Sequence, residues 1–306
     1  MRGLFVTTAL ATACLAPSHL IAQALEVQPV TDGIWAIVGE KEQRSPENLA
    51  NNATFGLIVT PEGAVLVDPG GSWKGAKALH EAVKSVTDSE IKYVINTGGQ
   101  DHRWLGNGYW QTQGAEVIAS AAAVADQEAR GSMQMSGLSQ LIGAALEGTE
   151  RSTANTQFDT RHTLELGGLN IEIIHVGPAH TPGDSFVWVA EKETVFTGDI
   201  VYVERILGVG DQSSIAEWPA SFEAFAALEP AHVVPGHGHA TTLAQAKRDT
   251  YDYLMNLRTE IAALIDDGGD IMAAPQVDQS AFSYLEQFES LAGRNAQTAF
   301  QQMEWE

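Results

Sequence analysis

The chain is almost free of cysteine: Cys14 is the only one in 306 residues. One thiol makes no disulfide framework and no thiolate cluster for a metal. Positive charge is scarce too. Lys and Arg number 17 against 39 Asp and Glu, a net charge of −22, and so acidic a surface repels phosphate backbones. Nucleic acid is therefore not expected as a partner, and polyanionic substrates are disfavoured unless a metal offsets the field locally. Past the N-terminus no apolar run is long enough to span a bilayer, so no stable membrane insertion is expected. What is present, 44% hydrophobic and 18% charged residues, suits a globular chain with room for a substantial core.

The N-terminus reads MRGLFVTTALATACLAPSHLIAQA. Arg2 supplies a positive start, Gly3 to Ala16 a short apolar stretch, and Ala22-Gln23-Ala24 a small-x-small cleavage site, which is the pattern of a secretory signal. A periplasmic or secreted protein is the expectation, with cleavage near Ala24. A membrane anchor would need a longer apolar run, and lipoprotein processing at Cys14 is the other alternative. Cleavage after Ala24 removes the only cysteine, so a metal site must be built from His, Asp, Glu or amide groups.

Short apolar runs with turns between them follow: GIWAIVG (33–39), TFGLIVT (54–60) and AVLVDPGG (64–71), read as antiparallel strands. Lys74 to Val86 has helical spacing, then come a strand to Asn96, a polar loop, a short helix and a strand at Glu116 to Ala119. Segment 121–157, rich in Ala, Gly, Ser, Gln and Met, is read as a helical insertion that either covers a cleft or links two halves. The second half repeats the first in outline. FGLIVTPEGAVLVD (55–68) and FVWVAEKETVFTGD (186–199) have equal length and both end a strand on Asp, a weak hint of duplication. Helices are expected at 217–228, 243–266 and 281–303. The fold class expected is α/β, one domain over 25–306 in four layers: helices, sheet, sheet, helices.

Three motifs put polar groups at strand ends: GPAHTPGD with His180, FTGD with Asp199, and VVPGHG with His237 between two glycines. Taken singly, each has an ordinary reading as a cap or a packed turn residue. Together they offer two imidazoles and a carboxylate, a donor set suited to zinc, iron or manganese.

These motifs, with V-D-P-G at 67–70 and Asn96-Thr97, resemble the metallo-beta-lactamase superfamily. The resemblance runs from about Val27 to Ala240, with helices beyond. It implies an αββα sandwich with a metal centre at one edge that activates water for hydrolysis. Asp68 would brace the metal loop, His180, Asp199 and His237 would be ligands, and Asp199 would bridge two metals. The family's loop is N-T-H-x-H-x-D-H-x-x-G-N. Here it is NTGGQDHRWLGN, Asn96 to Asn107. Without gaps, Gly98 and Gln100 replace two imidazoles, His102 replaces the aspartate and Arg103 the last histidine. Sliding the loop by one residue would restore Asp101-His102 as an Asp-His pair but breaks both flanking matches.

The first metal position is thus expected to be weak or empty. The second retains His102, Asp199 and His237, three ligands with room for water, for one ion of zinc or another divalent transition metal. Arg103 is always charged. It could fork onto Asp199 or Asp101 in place of a metal, or receive a substrate carboxylate. Two functions follow: a hydrolase of a small molecule using one metal, with His102, Arg103 and Asp199 as catalytic candidates, or a non-catalytic binding or structural protein on the same fold with Arg103 in the metal's place. Trp104, Met133 and Met135 are read as core residues in preference to pocket lining.

Overall fold

The computed structural model describes residues 25–305. The expected leader and cleavage site, with Cys14, lie outside them. Two sheets carry the fold. The first has seven strands in sequence order, β1 (Glu26–Thr31), β2 (Ile34–Val38), β3 (Thr54–Thr60), β4 (Gly63–Val67), β5 (Ile91–Asn96), β6 (Glu116–Ser120) and β7 (Thr156–Phe158). β1 to β4 pair antiparallel and β4 to β7 parallel. The second has five, β8 (Arg161–Leu166), β9 (Leu169–Ile174), β10 (Phe186–Val189), β11 (Thr194–Phe196) and β12 (His232–Val234), all antiparallel except the last pair.

Alternation along the strands explains the layering. In β4, Ala64 and Leu66 face one core, while Val65 and Val67 face another. β11 and β12 divide the same way: Val195 and Val233 point outward, Phe196 and Val234 inward. Strands buried on both faces need a layer on each side. The inward faces of the two sheets meet in a core of Ile58, Val65, Ile95, Ile118, Ile171, Ile173, Val187 and Phe196. Outside the first sheet lie α1 (Trp73–Lys84) and α2 (Asn107–Thr112), with α3 (Ala121–Ile142) beside them; Leu79, Val83, Tyr109, Trp110, Ala123 and Val124 close that core. Outside the second lie α4 (Trp218–Ala226), α5 (Leu243–Ala246), α6 (Asp252–Asp266) and α7 (Phe288–Met303), which bury Phe222, Phe225, Leu254, Leu257, Ile261 and Phe300. The result is the four-layer α/β sandwich expected.

Some details differ from the sequence reading. β1 and β7 were not foreseen, because each is short, partly exposed and at a sheet edge. The helix expected at 281–303 begins at Phe288; a 3-10 turn at Ser280–Phe282 precedes it. Segment 121–157 is mainly α3. Its contacts are those of a brace more than of a lid: Gln127 Nε2 donates to the Gly98 carbonyl at 3.1 Å, and Gln134 Nε2 to the Gly99 carbonyl at 2.8 Å. Trp104 is buried against Leu138 and Ile142, whereas Met133 is exposed. Among the described residues, no helix is long and apolar enough to cross a membrane.

The two sheets approach closely at Gly56 of β3. A Cβ there would stand 2.3 Å from Cδ1 of Phe196 in the opposite sheet. Gly56→Val is expected to overpack this contact and cost about 1–3 kcal/mol, read as a lowered urea midpoint with an unchanged m-value.

Candidate metal centre and cavity

The polar loop starts where β5 ends. Asn96 and Asn107 exchange side-chain amide hydrogen bonds, both 2.8 Å, which closes the loop at its base. The sequence flanks that set the loop's register are thus in contact with each other. Asp68, just past β4 with a left-handed φ of 68°, accepts from the Thr97 backbone N–H at 2.8 Å and from the Thr97 hydroxyl. These bonds tie Asp68 to the start of the loop. A 3-10 turn, Asp101–Arg103, then presents three consecutive polar side chains inward, all buried.

Arg103 is fully buried and reaches four acceptors. Nη1 donates to the Thr54 carbonyl at 3.0 Å and to Asp68 Oδ2 at 2.8 Å; Nη2 donates to Asp199 Oδ1 at 2.7 Å and to the Gly236 carbonyl at 2.8 Å. Of the two partners the sequence allowed, Asp199 is the one engaged. Both terminal nitrogens of Arg103 are turned to protein acceptors, and the residue does not line the adjacent cavity, which suits positioning Asp199. Burial opposes its charge, but Asp199 and Asp68 hold its pKa above the usual arginine range. Burial likewise opposes the Asp199 carboxylate. Arg103, with His102 and His237, outweighs it and keeps Asp199 well below the usual range.

His102, Asp199 and His237 form the one group of three metal-competent side chains among the described residues, with ligand atoms all within 4.8 Å of one another. Nε2 of His102 is 3.1 Å from Asp199 Oδ2, and Nε2 of His237 is 3.1 Å from Oδ1. Tyr202 stacks on the His237 ring at 4.4 Å between centroids. The donor set fits a divalent ion. The ring tautomers decide whether it can be taken up. Arg44 Nη2 lies 3.0 Å from His102 Nδ1; a guanidinium only donates, so this contact puts the ring proton on Nε2, facing Asp199. Asp101 Oδ1, 3.1 Å from the same Nδ1, offers the other tautomer, which frees Nε2 for a metal. His237 Nδ1 faces Arg205 Nη1 at 3.5 Å, a long contact that holds the tautomer weakly.

His180 stands outside this group. Its Nδ1 donates to the Gly208 carbonyl at 3.0 Å, and burial pushes its pKa down to about 4, so the ring is neutral. The two adjacent glycines of the loop lie close against carboxylates. A Cβ on Gly98 would lie 2.3 Å from Asp184 Oδ1, and one on Gly99 would lie 1.9 Å from Asp126 Oδ2. Position 98, where the family's loop has its first histidine, thus has no room for a side chain unless Asp184 shifts, and Gln100 stands at the second.

Four residues of this site were not foreseen: Arg44, Asp184, Tyr202 and Arg205. Asp184 closes the H-T-P-G-D motif, so a signal existed. It accepts from the Thr181 N–H at 2.8 Å and from the Thr181 hydroxyl. Burial, with the nearby charge of Asp199, pushes its pKa up to about 8. Arg44 forks onto Asp101, with Nε 2.7 Å from Oδ2, and carried no motif. A cavity of about 240 Å³ opens beside the cluster, lined by His102, His180, Tyr202, Arg205 and His237 and by C-terminal residues including Arg294.

The chain was compared with known proteins. The family model described as the metallo-beta-lactamase superfamily matches residues 50–237. Over 89 residues the chain is 33% identical to hydroxyacylglutathione hydrolase GloC of Haemophilus influenzae, covering 28% of this chain and 41% of that protein. Over 90 residues it is 34% identical to uncharacterized protein ML0493 of Mycobacterium leprae, covering 28% and 40%. The matched stretch thus spans about two fifths of these curated relatives. Among solved structures, a metallo-beta-lactamase from Pontibacter korlensis superposes with a TM-score of 0.60 at 22% identity, covering 76% of this chain and 99% of that one. The mono-zinc form of FIM-1 from Pseudomonas aeruginosa gives 0.57 at 19%, covering 74% and 93%. At such identities the likeness is one of fold.

Two outcomes are expected from this geometry. Arg103→Met leaves Asp68 and Asp199 buried without their cation and should cost about 3–5 kcal/mol of unfolding free energy in urea. Asp184 has a pKa raised from 3.8 to about 8, so the folded protein holds that proton more tightly than the unfolded chain. The stability this gives is full below about pH 4 and is lost as pH rises through about 8. Asp184→Asn should therefore gain on the wild type as pH rises across that window, measured as the difference between the two melting curves.

Proposed function

The chain belongs to the metallo-beta-lactamase superfamily, and on that premise we propose that it is a hydrolase of a small molecule with one divalent metal ion held by His102, Asp199 and His237. The observation that carries the reading is the convergence of two Nε2 atoms on the two oxygens of one buried carboxylate, at the wall of a cavity. A bound ion would supply Lewis acidity, polarising a carbonyl and acidifying water. The protein's own groups do the rest. Arg103 fixes Asp199 as a carboxylate and stands where a further ligand would. His180, with its proton held on the Gly208 carbonyl, presents Nε2 as an acceptor that can orient a water in the cavity. The name of one relative, a hydroxyacylglutathione hydrolase, supports hydrolysis as the reaction class. Residues 1–24 would export the protein to the periplasm or medium.

Arg103 also sets the expected metal affinity. A cation on Asp199 shares that carboxylate with a guanidinium nitrogen 2.7 Å away, and the two positive charges repel. The same contact favours a second reading, a non-catalytic binding protein in which Arg103 and the two imidazoles satisfy Asp199 without metal. Metal analysis of the purified protein separates the two. One zinc, iron or manganese per chain is expected, with a rise in melting temperature on loading. His237→Ala should abolish the rise, and Arg103→His, which exchanges a fixed cation for a ligand, should tighten uptake in metal titrations. No bound metal and no thermal response to any of the three ions would sink the hydrolase reading in favour of the second.

A further inference from the structure

Arg205 is a buried cation without an anion. It is 4% exposed, and its Nε has no hydrogen-bond partner. Its recorded contacts are the long approach to His237 Nδ1 and the Tyr202 ring, 5.9 Å from its Cζ. Among the described residues, no carboxylate lies within ion-pair distance of it. Burying a guanidinium in this state is costly, and a protein with 39 acids had many ways to pair it. Arg205 lines the cavity instead, together with Arg44 and with Arg294 of α7. Arg44 is neutralised by Asp101, whereas Arg294 has no acidic partner among the described residues. None of the lining side chains is an acid, in a chain whose net charge is −22. The remaining polar lining is the imidazoles of His102, His180 and His237, the Tyr202 phenol, and amides that include Gln212 and Gln100, whose Oε1 is buried and unpartnered.

We propose that this cavity is an oxyanion site, in which Arg205 and Arg294 receive the carboxylate, phosphate or sulfate group of a small molecule. A guanidinium fork matches all three groups. The volume of about 240 Å³ limits the ligand to a small molecule. Overall acidity argues against polyanionic substrates, but the cavity reverses the sign of the charge locally. Half of the anion clamp is built by α7, outside the 50–237 segment that matches the superfamily. As a statement about substrate class the proposal rests on the hydrolase reading. As a statement about binding it does not need the metal.

The test is thermal stability with succinate, inorganic phosphate or sodium chloride at matched ionic strength, on protein held in EDTA and again on metal-loaded protein. Succinate or phosphate should raise the melting temperature beyond chloride in both states. The larger rise with succinate assigns a carboxylate ligand, and with phosphate a phosphate or sulfate ester. Arg294→Gln, on the exposed side of the cavity, should weaken the binding about tenfold in calorimetric titration. Arg205→Met should abolish the response while leaving the ligand-free protein as stable as the wild type or more so, because an uncompensated buried charge is removed. The proposal is overturned if neither anion exceeds chloride, if the response survives in both variants, or if Arg205→Met destabilises the ligand-free protein. A protein that binds anions but no metal would remove the hydrolase reading and leave this one standing.

Discussion

The Arg103 guanidinium holds the edge of the sandwich together. Its four acceptors come from four places: Thr54 opens β3, Asp68 follows β4, Asp199 follows β11 and Gly236 follows β12. Two belong to each sheet, so a single side chain joins the sheets where their apolar interface ends. The Thr54 N–H, donating to the Gly236 carbonyl at 2.7 Å, and its hydroxyl, donating to the Gly238 carbonyl at 2.6 Å, reinforce the same seam. A planar cation with donors along two edges is suited to this, since its hydrogen bonds can diverge toward both sheets at once. A lysine ammonium could not span the same four acceptors.

The metal chemistry follows from that constraint. Asp199 must stay ionised because Arg103 depends on it, and an ionised Asp199 attracts whatever else can donate or coordinate. In the structure that role falls to the Nε2 atoms of His102 and His237. Behind those rings stand Arg44 and Arg205, where a metal-binding histidine ordinarily has a carboxylate or carbonyl. Only His102 has such an acceptor in reach, at Asp101. The centre is therefore set between two states. In one, Asp199 is satisfied by protein donors alone; in the other, both rings would carry their proton on Nδ1, leaving the Nε2 atoms free to hold an ion.

Much of this was legible in the sequence, and the reason is locality. The core strands are short apolar runs rich in Val and Ile, the three strand-end motifs carry their chemistry within a few residues, and Asn96-Thr97 with Leu105-Gly106-Asn107 set the loop's register. Thus Asp68, Arg103, Asp199, His102 and His237 could be named together. What was not legible depends on contacts between distant segments. Arg44 lies in a polar connection with no motif, yet it meets Asp101 and His102 across 57 and 58 residues. The loss of histidine at position 98 reads as the absence of a ligand, whereas in the fold it is a steric requirement of Asp184. His180 looked like a ligand because its motif is intact, whereas in the fold its Nδ1 is held by the Gly208 carbonyl and it stands outside the cluster of three.

The same reasoning separates the cavity from the centre. If the loop had merely decayed, nothing would maintain a buried cation beside it, because loss of function removes any compensation for its desolvation. Arg205 is nonetheless enclosed by ordered groups: Tyr202 stacks on His237, the Tyr202 backbone is fixed by Thr250, and Asn295 of α7 donates to the Leu207 carbonyl at 2.8 Å and accepts from the Val209 N–H. These contacts tie the segment after Asp199 to the C-terminal helix and hold the guanidinium at the cavity wall. A scaffold that keeps an expensive charge in a defined place, with its acids elsewhere, is organised around a ligand that brings the opposite charge.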